Sequence, residues 1–223
     1  MPRKPPRRTR ERILETALRL FNDAGEPNVT TADIADELNI SPGNLYYHFS
    51  NKGEIIVLLF DALDASLAPL FSGPSASAAE VEDLWLFLHL VFERIWEYRF
   101  FFRDLDEIAS RDPKLATRVA GMLRSEESAV LALCGGLRAA GALRATDEEL
   151  VALAVNVVVI ATYWMSFRRL SNAGTRRAVE DASDMQFERA ISQVLAMLAP
   201  HLHGDHRALA ESLRARYLRD TRS

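Results

Sequence analysis

The chain reads as all-α: a small three-helix head, a connecting helix and a larger helical body. Three observations predict this. Apolar residues recur at helical spacing almost from end to end, strand-like alternation is scarce, and segments begin with helix caps rather than hairpin turns. With 48% hydrophobic residues among 223, the chain can bury a full core in one or two domains.

The first helix has Thr9 as a candidate cap, Ile13, Leu14, Ala17, Leu18 and Phe21 on one face, and Gly25 as its stop. The stretch VTTADIADELNISPGNLYYHFSNKGEII, residues 29–56, then reads as three short helices. Thr30 or Thr31 caps the first of these, whose apolar face is Ile34, Ala35 and Leu38. Ser41 followed by Pro42 is a capping hydroxyl before the residue best tolerated at a helix's first position. Asn51 with Glu54 is a capping-box pattern that opens the connecting helix, 51–71, which Gly73-Pro74 ends. Between Ser41 and Phe49 there is room for two turns. Leu45 and Phe49 point inward, so Gly43, Asn44, Tyr47 and His48 stay largely outside. Such a short helix needs its neighbours to hold it. Braced, and presenting small and polar groups at its N-terminal end, it suits insertion into a DNA major groove.

The body continues helix after helix. Ser77 and Glu80 suggest a start for a helix through Trp85, Leu88, Phe92 and Trp96 that ends near Tyr98. A short helix spans 100–110. Asp112-Pro113 caps the next, which runs to about Ala140 with Gly141 as its stop; the Gly135-Gly136 pair inside it permits a bend or a close helix contact. Thr146 with Glu149 opens a strongly apolar helix to about Leu170. Another spans about 179–198 and stops at Pro200. The last starts near Asp205, with Leu209, Leu213 and Tyr217 on one face.

Charge is unevenly spread. The net −4 hides six basic residues in the first twelve (Arg3, Lys4, Arg7, Arg8, Arg10, Arg12) against Glu11, while the remaining 21 basic and 30 acidic residues carry −9. A basic arm on an acidic body suits nucleic acid at one end. Cys134 is the single cysteine, which excludes an intrachain disulfide and points to a reducing cytoplasm. No apolar run reads as long enough to cross a bilayer, and the N-terminus lacks a signal-peptide core. Catalysis finds no phosphate-binding glycine loop, zinc-ligand cysteine pair or nucleophile elbow. His201, His203 and His206 crowd into HLHGDH, read as a polar turn rather than a metal site. His89 reads as a core histidine and Cys134 as inert packing. No cofactor or metal is expected.

The head resembles the DNA-binding domain of the TetR family of bacterial transcriptional regulators. The residues that carry the likeness are Thr31, Ile34, Ala35, Leu38, the run from Ile40 to Phe49, and Asn51-Lys52, within residues 9 to 60. The resemblance implies a basic arm (1–8), a helix-turn-helix domain (9–55) and an effector-binding and dimerisation body (56–223). It also implies that the Ser41–Phe49 helix enters the major groove. On that reading Thr31, Tyr47, His48 and Lys52 contact phosphates. Gly43 and Asn44, flanked by Ser41 and Pro42, come nearest the base edges, and Arg7 and Arg8 of the arm reach DNA beside them. Tyr46 reads chiefly as packing, with DNA contact as a second role. Ala32 stands where many family members carry a cation, so some specificity is expected from the arm or from DNA shape.

For the body, the resemblance implies a homodimer on a palindromic operator and a small hydrophobic or amphipathic effector, neutral or weakly anionic. The helix 149–170 is apolar nearly all round, which demands burial on more than one side. The expected dimer residues are Val151, Val155, Val158, Thr162, Phe187, Ile191 and Val194. The expected pocket residues are Trp85, His89, Phe92, Trp96, Phe102, Asn156 and Tyr163. Two other classes stay open: an effector-independent DNA-binding regulator acting through a protein partner, and an all-α enzyme or interaction module with a superficial likeness.

Overall fold

A computed structural model describes residues 6–72, 80–171 and 185–219. Among them the regular elements are helices: α1 Pro6–Ala24, α2 Thr31–Glu37, α3 Pro42–His48, α4 Lys52–Ser72, α5 Val81–Glu97, α6 Arg99–Arg103, α7 Leu105–Ser110, α8 Pro113–Ala139, α9 Asp147–Ser171, α10 Met185–Leu198 and α11 Gly204–Arg219. The first three form the head, α4 runs from head to body, and α5–α11 make the body.

The caps explain most boundaries. Thr30 caps α2 in a reciprocal box with Asp33: Asp33 N donates to Thr30 Oγ1 at 3.2 Å, and Thr30 N to Asp33 Oδ2 at 2.7 Å. Ser41 Oγ accepts from Asn44 N at 3.2 Å and Pro42 opens α3. Asn51 Oδ1 accepts from Glu54 N, while the Glu54 carboxylate reaches back one residue further, to Ser50 N. Asp112 caps α8, and Thr146 with Glu149 forms the box that opens α9. Gly25 and Gly141 end α1 and α8 with φ of 86° and 78°, the left-handed conformation that glycine adopts without steric cost.

Several expectations change. Helix α1 starts at Pro6, so Thr9 lies inside it and Arg7 and Arg8 belong to a helix rather than to an arm. Proline at a first helical position supplies that earlier start. Helix α5 starts at Val81, where Glu80 and Asp83 form the box; the expected Ser77 cap lies outside the described residues, as does the 179–184 part of the helix expected over 179–198. The single helix expected over 100–110 is two, broken at Asp104. Helices α4 and α9 are each long and apolar enough to cross a membrane by length and composition, contrary to the sequence reading. A count of uninterrupted apolar residues misses helices whose few charges are widely spaced. In the fold α4 buries Ile55, Leu59, Phe60, Leu63 and Leu67 and pairs Asp61 with Arg118 of α8.

One core runs through head and body. Ile13, Ala17 and Phe21 of α1 join Ile34, Leu45, Phe49 and Ile55, and the same cluster continues into α5–α11. The junction is stitched at Asn22, 6% exposed. Its amide donates to Glu97 O at 2.8 Å and accepts from Phe100 N at 3.0 Å. Arg103 donates to Asn22 O at 2.7 Å, and the Phe21 and Phe100 rings lie 5.3 Å apart. The HLHGDH turn is held by the Leu143–Leu202 bridge, with Arg144 N on His201 O and His203 N on Ala142 O.

Candidate nucleic-acid interface

Helix α3 is fixed from behind and open in front. Leu45 and Phe49 are buried, whereas Ser41, Pro42, Gly43, Asn44, Tyr46 and Tyr47 are exposed and His48 is half-buried. Tyr47 is 80% exposed and packs only edge-on against His48, with ring centroids 5.1 Å apart. Tyr46 departs from its packing role: it is 53% exposed, and its hydroxyl hydrogen-bonds Thr31 Oγ1 at 3.0 Å. That bond ties α3 to the N-terminal end of α2, so the pair presents two hydroxyls side by side.

The turn between α2 and α3 sets their angle. Asn39 takes φ 52°; Asn39 N bonds Asp36 O at 2.9 Å and Ile40 N bonds Ala35 O at 3.0 Å. This is the doubly bonded helix stop that needs a left-handed residue, and asparagine tolerates that conformation better than most. Behind α3, the Arg10 guanidinium of α1 stacks on the Phe49 ring at 5.1 Å. Sequence reasoning missed this brace, whose one signal was a basic residue on the first helix. Arg8 is exposed on the same helix.

Gly43 is not demanded by the fold. A Cβ there would find Ser41 Oγ as its nearest neighbour at 4.0 Å, so the fold has room for a side chain at this position. Gly43→Ala is therefore expected to leave the fold intact, or stabilise it by up to about 1 kcal/mol, while weakening DNA binding. Thermal unfolding and duplex titration on the same sample check both halves.

Lys52 corrects the sequence reading. Its ammonium donates to Glu26 O at 3.0 Å and Val29 O at 2.9 Å, and pairs with Glu26 Oε1 at 2.8 Å. Three partners use its three protons, leaving none for a phosphate. The Glu26 carboxylate is fully buried and also receives Arg111 Nη1 at 3.0 and 2.8 Å. Glu26 thus joins the head to the segment between α7 and α8. Nothing local in the sequence signalled it, because its partners lie 26 and 85 positions away. A cleft of about 590 Å³ opens beside the triad, between the start of α4 and Ile108, Arg111 and Leu115.

The body places its expected residues unevenly. Helix α9 carries an outward apolar stripe of Val151, Val155, Val159, Tyr163, Phe167 and Leu170, each 40–72% exposed. Val151 and Val155 of the expected dimer set belong to it. Thr162, Ile191 and Val194 are buried in the subunit's own core, with Val158 and Phe187 part-buried beside the stripe and α10. A helix apolar all round gives no phase for choosing the outward side, and α11 packs on α10. The expected pocket set also divides. Phe92 and Phe102 are core; Asn156 and Tyr163 lie on the outer side of α9, Tyr163 donating to Asp106. Trp85 donates to the Tyr217 hydroxyl at 2.6 Å and stacks on His89, whose edge meets Phe187. Trp96 lies under the Arg99 guanidinium. None of the seven lines the 590 Å³ cleft or a second cleft of about 380 Å³ between α4 and α8. Cys134 is buried, and burial pushes its thiol up to about 11.

Glu126 was also missed. It is 4% exposed on the apolar face of α8 with Met122, Ala129, Val130 and Leu133, and its Oε1 has no hydrogen-bond partner. Burial alone pushes its acid up to about 8. A helical wheel would have found it, but the surrounding run Ser125-Glu126-Glu127-Ser128 reads as solvated. A carboxylic acid raised from about 4.5 to about 8 keeps a proton in the folded chain that the unfolded chain has released. Its contribution to stability is fully present below about 4.5 and lost as pH rises to about 8, by up to about 1.4 kcal/mol per unit. Thermal unfolding from pH 5 to 8 is expected to show this slope in the wild type and lose it in Glu126→Gln.

A short exposed helix held by a turn, a hydroxyl bridge and a cation–π brace, carried on a helical body, defines a helix-turn-helix DNA-binding regulator. The comparisons agree. Residues 63–209 match the family model described as bacterial transcriptional repressor, and residues 13–59 match that of bacterial regulatory proteins of the tetR family. The chain belongs to the TetR family of transcriptional regulators, whose members are regulators and not enzymes. It is 32% identical over 127 residues to the regulator TtgR of Pseudomonas putida, covering 55% of this chain and 59% of that one. It is 39% identical over 54 residues to the class C tetracycline repressor of Escherichia coli, 24% of this chain and 25% of that one. The match thus spans less than two thirds of these curated relatives. A TetR-family regulator from Marinobacter aquaeolei superimposes with TM-score 0.81 at 35% identity, covering 94% of this chain and 98% of that one.

Proposed function

We propose that the chain is a homodimeric repressor that binds a two-fold symmetric operator through α3 and is released by a small effector bound in the body. The observation that carries the dimer is the α9 stripe. Its residues, spaced by four and finally by three, wind gradually around the helix as they advance about 28 Å, and an exposed apolar band of that extent marks an interaction surface. A second copy laid on it satisfies the same residues twice. Two α3 helices then fall on one side of the duplex, with half-sites about one helical turn apart or a multiple of it.

On this reading Gly43 and Asn44 meet base edges. Tyr47, His48 and the Thr31–Tyr46 hydroxyl pair meet phosphates, with Arg8 and Arg10 as the nearby cations. Lys52 supports them from inside by holding the Thr31 segment through Val29 and Glu26. Binding-site selection tests the assignment: Asn44→Ala is expected to relax preference at one or two positions per half-site, by about 1–3 kcal/mol. An unchanged profile removes Asn44 from base reading.

Effector release follows from differential affinity for two body arrangements. Three routes lead from body to head: α4, the Asn22 clamp on α5 and α6, and the Glu26–Arg111 pair ahead of α8. The core placement of Phe92 and Phe102 favours a second reading, an effector-independent regulator. Screening small molecules for operator release separates the two. The cytoplasm is the compartment that fits either reading.

A further inference from the structure

The cleft of about 590 Å³ at the joint of head and body lies outside the body's interior. One wall is the start of α4, with Asn51, Ile56 and Val57; the other is the corner between α7 and α8, with Ile108, Arg111 and Leu115. Its volume falls in the range of small-molecule sites, roughly 300–1,000 Å³. Ile56, Ile108 and Leu115 are at most 5% exposed, so the floor is apolar. The polar groups around that floor differ in what they have left to offer. Glu54 and Asp112 each accept a backbone N–H at 2.8 Å, from Ser50 and Lys114, at the starts of α4 and α8. Lys52 has used its three protons on Glu26 and Val29. Arg111 has not used its five. Its Nη1 serves both Glu26 oxygens and its Nη2 the Glu107 carboxylate, while among the described residues nothing accepts from Nε or from the second Nη2 proton. The side chain is 42% exposed, so those two donors are open to a ligand.

Charge decides what they can take. Both cations in the lining already answer Glu26, and Glu54 and Asp112 have no ion pair among the described residues. An anion therefore meets surplus negative charge. A cation would draw Glu54 and Asp112 from the helix starts they hold. The unused groups on Arg111 are donors, and their fitting partner is an uncharged acceptor. We propose that this cleft binds a neutral, largely apolar ring compound through a carbonyl group, with Arg111 donating to the carbonyl oxygen and Ile56, Val57, Ile108 and Leu115 enclosing the ring. An occupant touches head and body together beside the Glu26 tie, so it braces the joint. The site is separate from the effector site proposed in the body, and its occupancy does not depend on that reading.

The test titrates the full-length protein at neutral pH with four naphthalene probes of similar size: methyl naphthyl ketone, isopropylnaphthalene, naphthoate and naphthylmethylamine. The ketone is expected to bind at least about tenfold more tightly than the hydrocarbon, which leaves the Arg111 donors unanswered, and more tightly than either charged probe. Hydrogen exchange with the ketone bound is expected to slow on both walls, at 51–57 and 108–115. Arg111→Lys keeps a cation for Glu26 but loses the fork of donors; it is expected to bind ketone and hydrocarbon alike. Val57→Trp fills the cleft from the α4 wall and is expected to bind neither. Thermal unfolding of both variants establishes that they fold. Equal binding of ketone and hydrocarbon by the wild type, preference for the anion or the amine, or ketone binding that survives Val57→Trp overturns the site. Exchange slowed on one wall alone overturns the brace.

Discussion

Lys52→Ala is expected to lower folding stability by about 3 kcal/mol. The loss arises because the substitution strips one of two cations from a fully buried carboxylate, leaves Val29 O without its donor and leaves Glu26 O with Val29 N alone. Breaking a buried pair by removing one partner costs far more than replacing both. The double variant Lys52→Met with Glu26→Gln is therefore expected to recover much of the loss. Denaturant unfolding of the three proteins measures it. Intact stability for Lys52→Ala, with uniformly weaker DNA binding and a shallower salt dependence, would instead return Lys52 to the phosphate-contact role. The distinction matters for the whole interface. If Lys52 points inward, the cations that meet the phosphates come from α1, and Arg8→Ala or Arg10→Ala changes the salt slope where Lys52→Ala does not.

Val159→Glu is expected to abolish the dimer and with it high-affinity operator binding. Val159 is half exposed in the middle of the α9 stripe, so in a two-fold dimer the two introduced carboxylates face apolar surface and approach one another. Each monomer retains one α3, and the loss of linked half-sites reduces affinity by roughly a hundredfold or more. Because the substitution is on the outer side, the monomer's own core is untouched; Thr162→Glu, by contrast, is expected to unfold the body, since Thr162 is buried. Analytical ultracentrifugation of Val159→Glu at micromolar concentration reads the result. A stable wild-type monomer, or an unchanged dimer in the variant, contradicts the α9 interface.

What the sequence revealed depended on how far apart the interacting residues lie. Caps and stops within three or four positions were legible: Ser41-Pro42, Asn51 with Glu54, Asp112-Pro113, Thr146 with Glu149, Gly25 and Gly141. The apolar face of α3 was equally clear, because Leu45 and Phe49 are four apart on a short helix. Long-range chemistry was not. The Glu26–Lys52–Arg111 triad, the Asn22 clamp and the Thr31–Tyr46 hydroxyl bridge each join separate elements, so no local pattern announces them. The resemblance implies a phosphate contact for Lys52 at the start of the connecting helix, whereas a buried glutamate 26 positions earlier takes its ammonium. The phase of α9 failed for another reason. A helix apolar on every side has no polar face to fix its rotation, so inward Thr162 and outward Val159 look alike in sequence. Glu126 was hidden by its neighbours in the chain while its neighbours on the helix face would have exposed it.

The central claim, that two copies of α3 read one duplex, is tested most directly by selecting binding sites from a randomised duplex pool with the purified full-length protein. Enrichment of an inverted repeat whose half-sites lie about one helical turn apart or a multiple of it is expected, with preference relaxed at matching positions of both halves in Asn44→Ala. Enrichment of a single unrepeated half-site, or of no sequence at all at low salt, would contradict it.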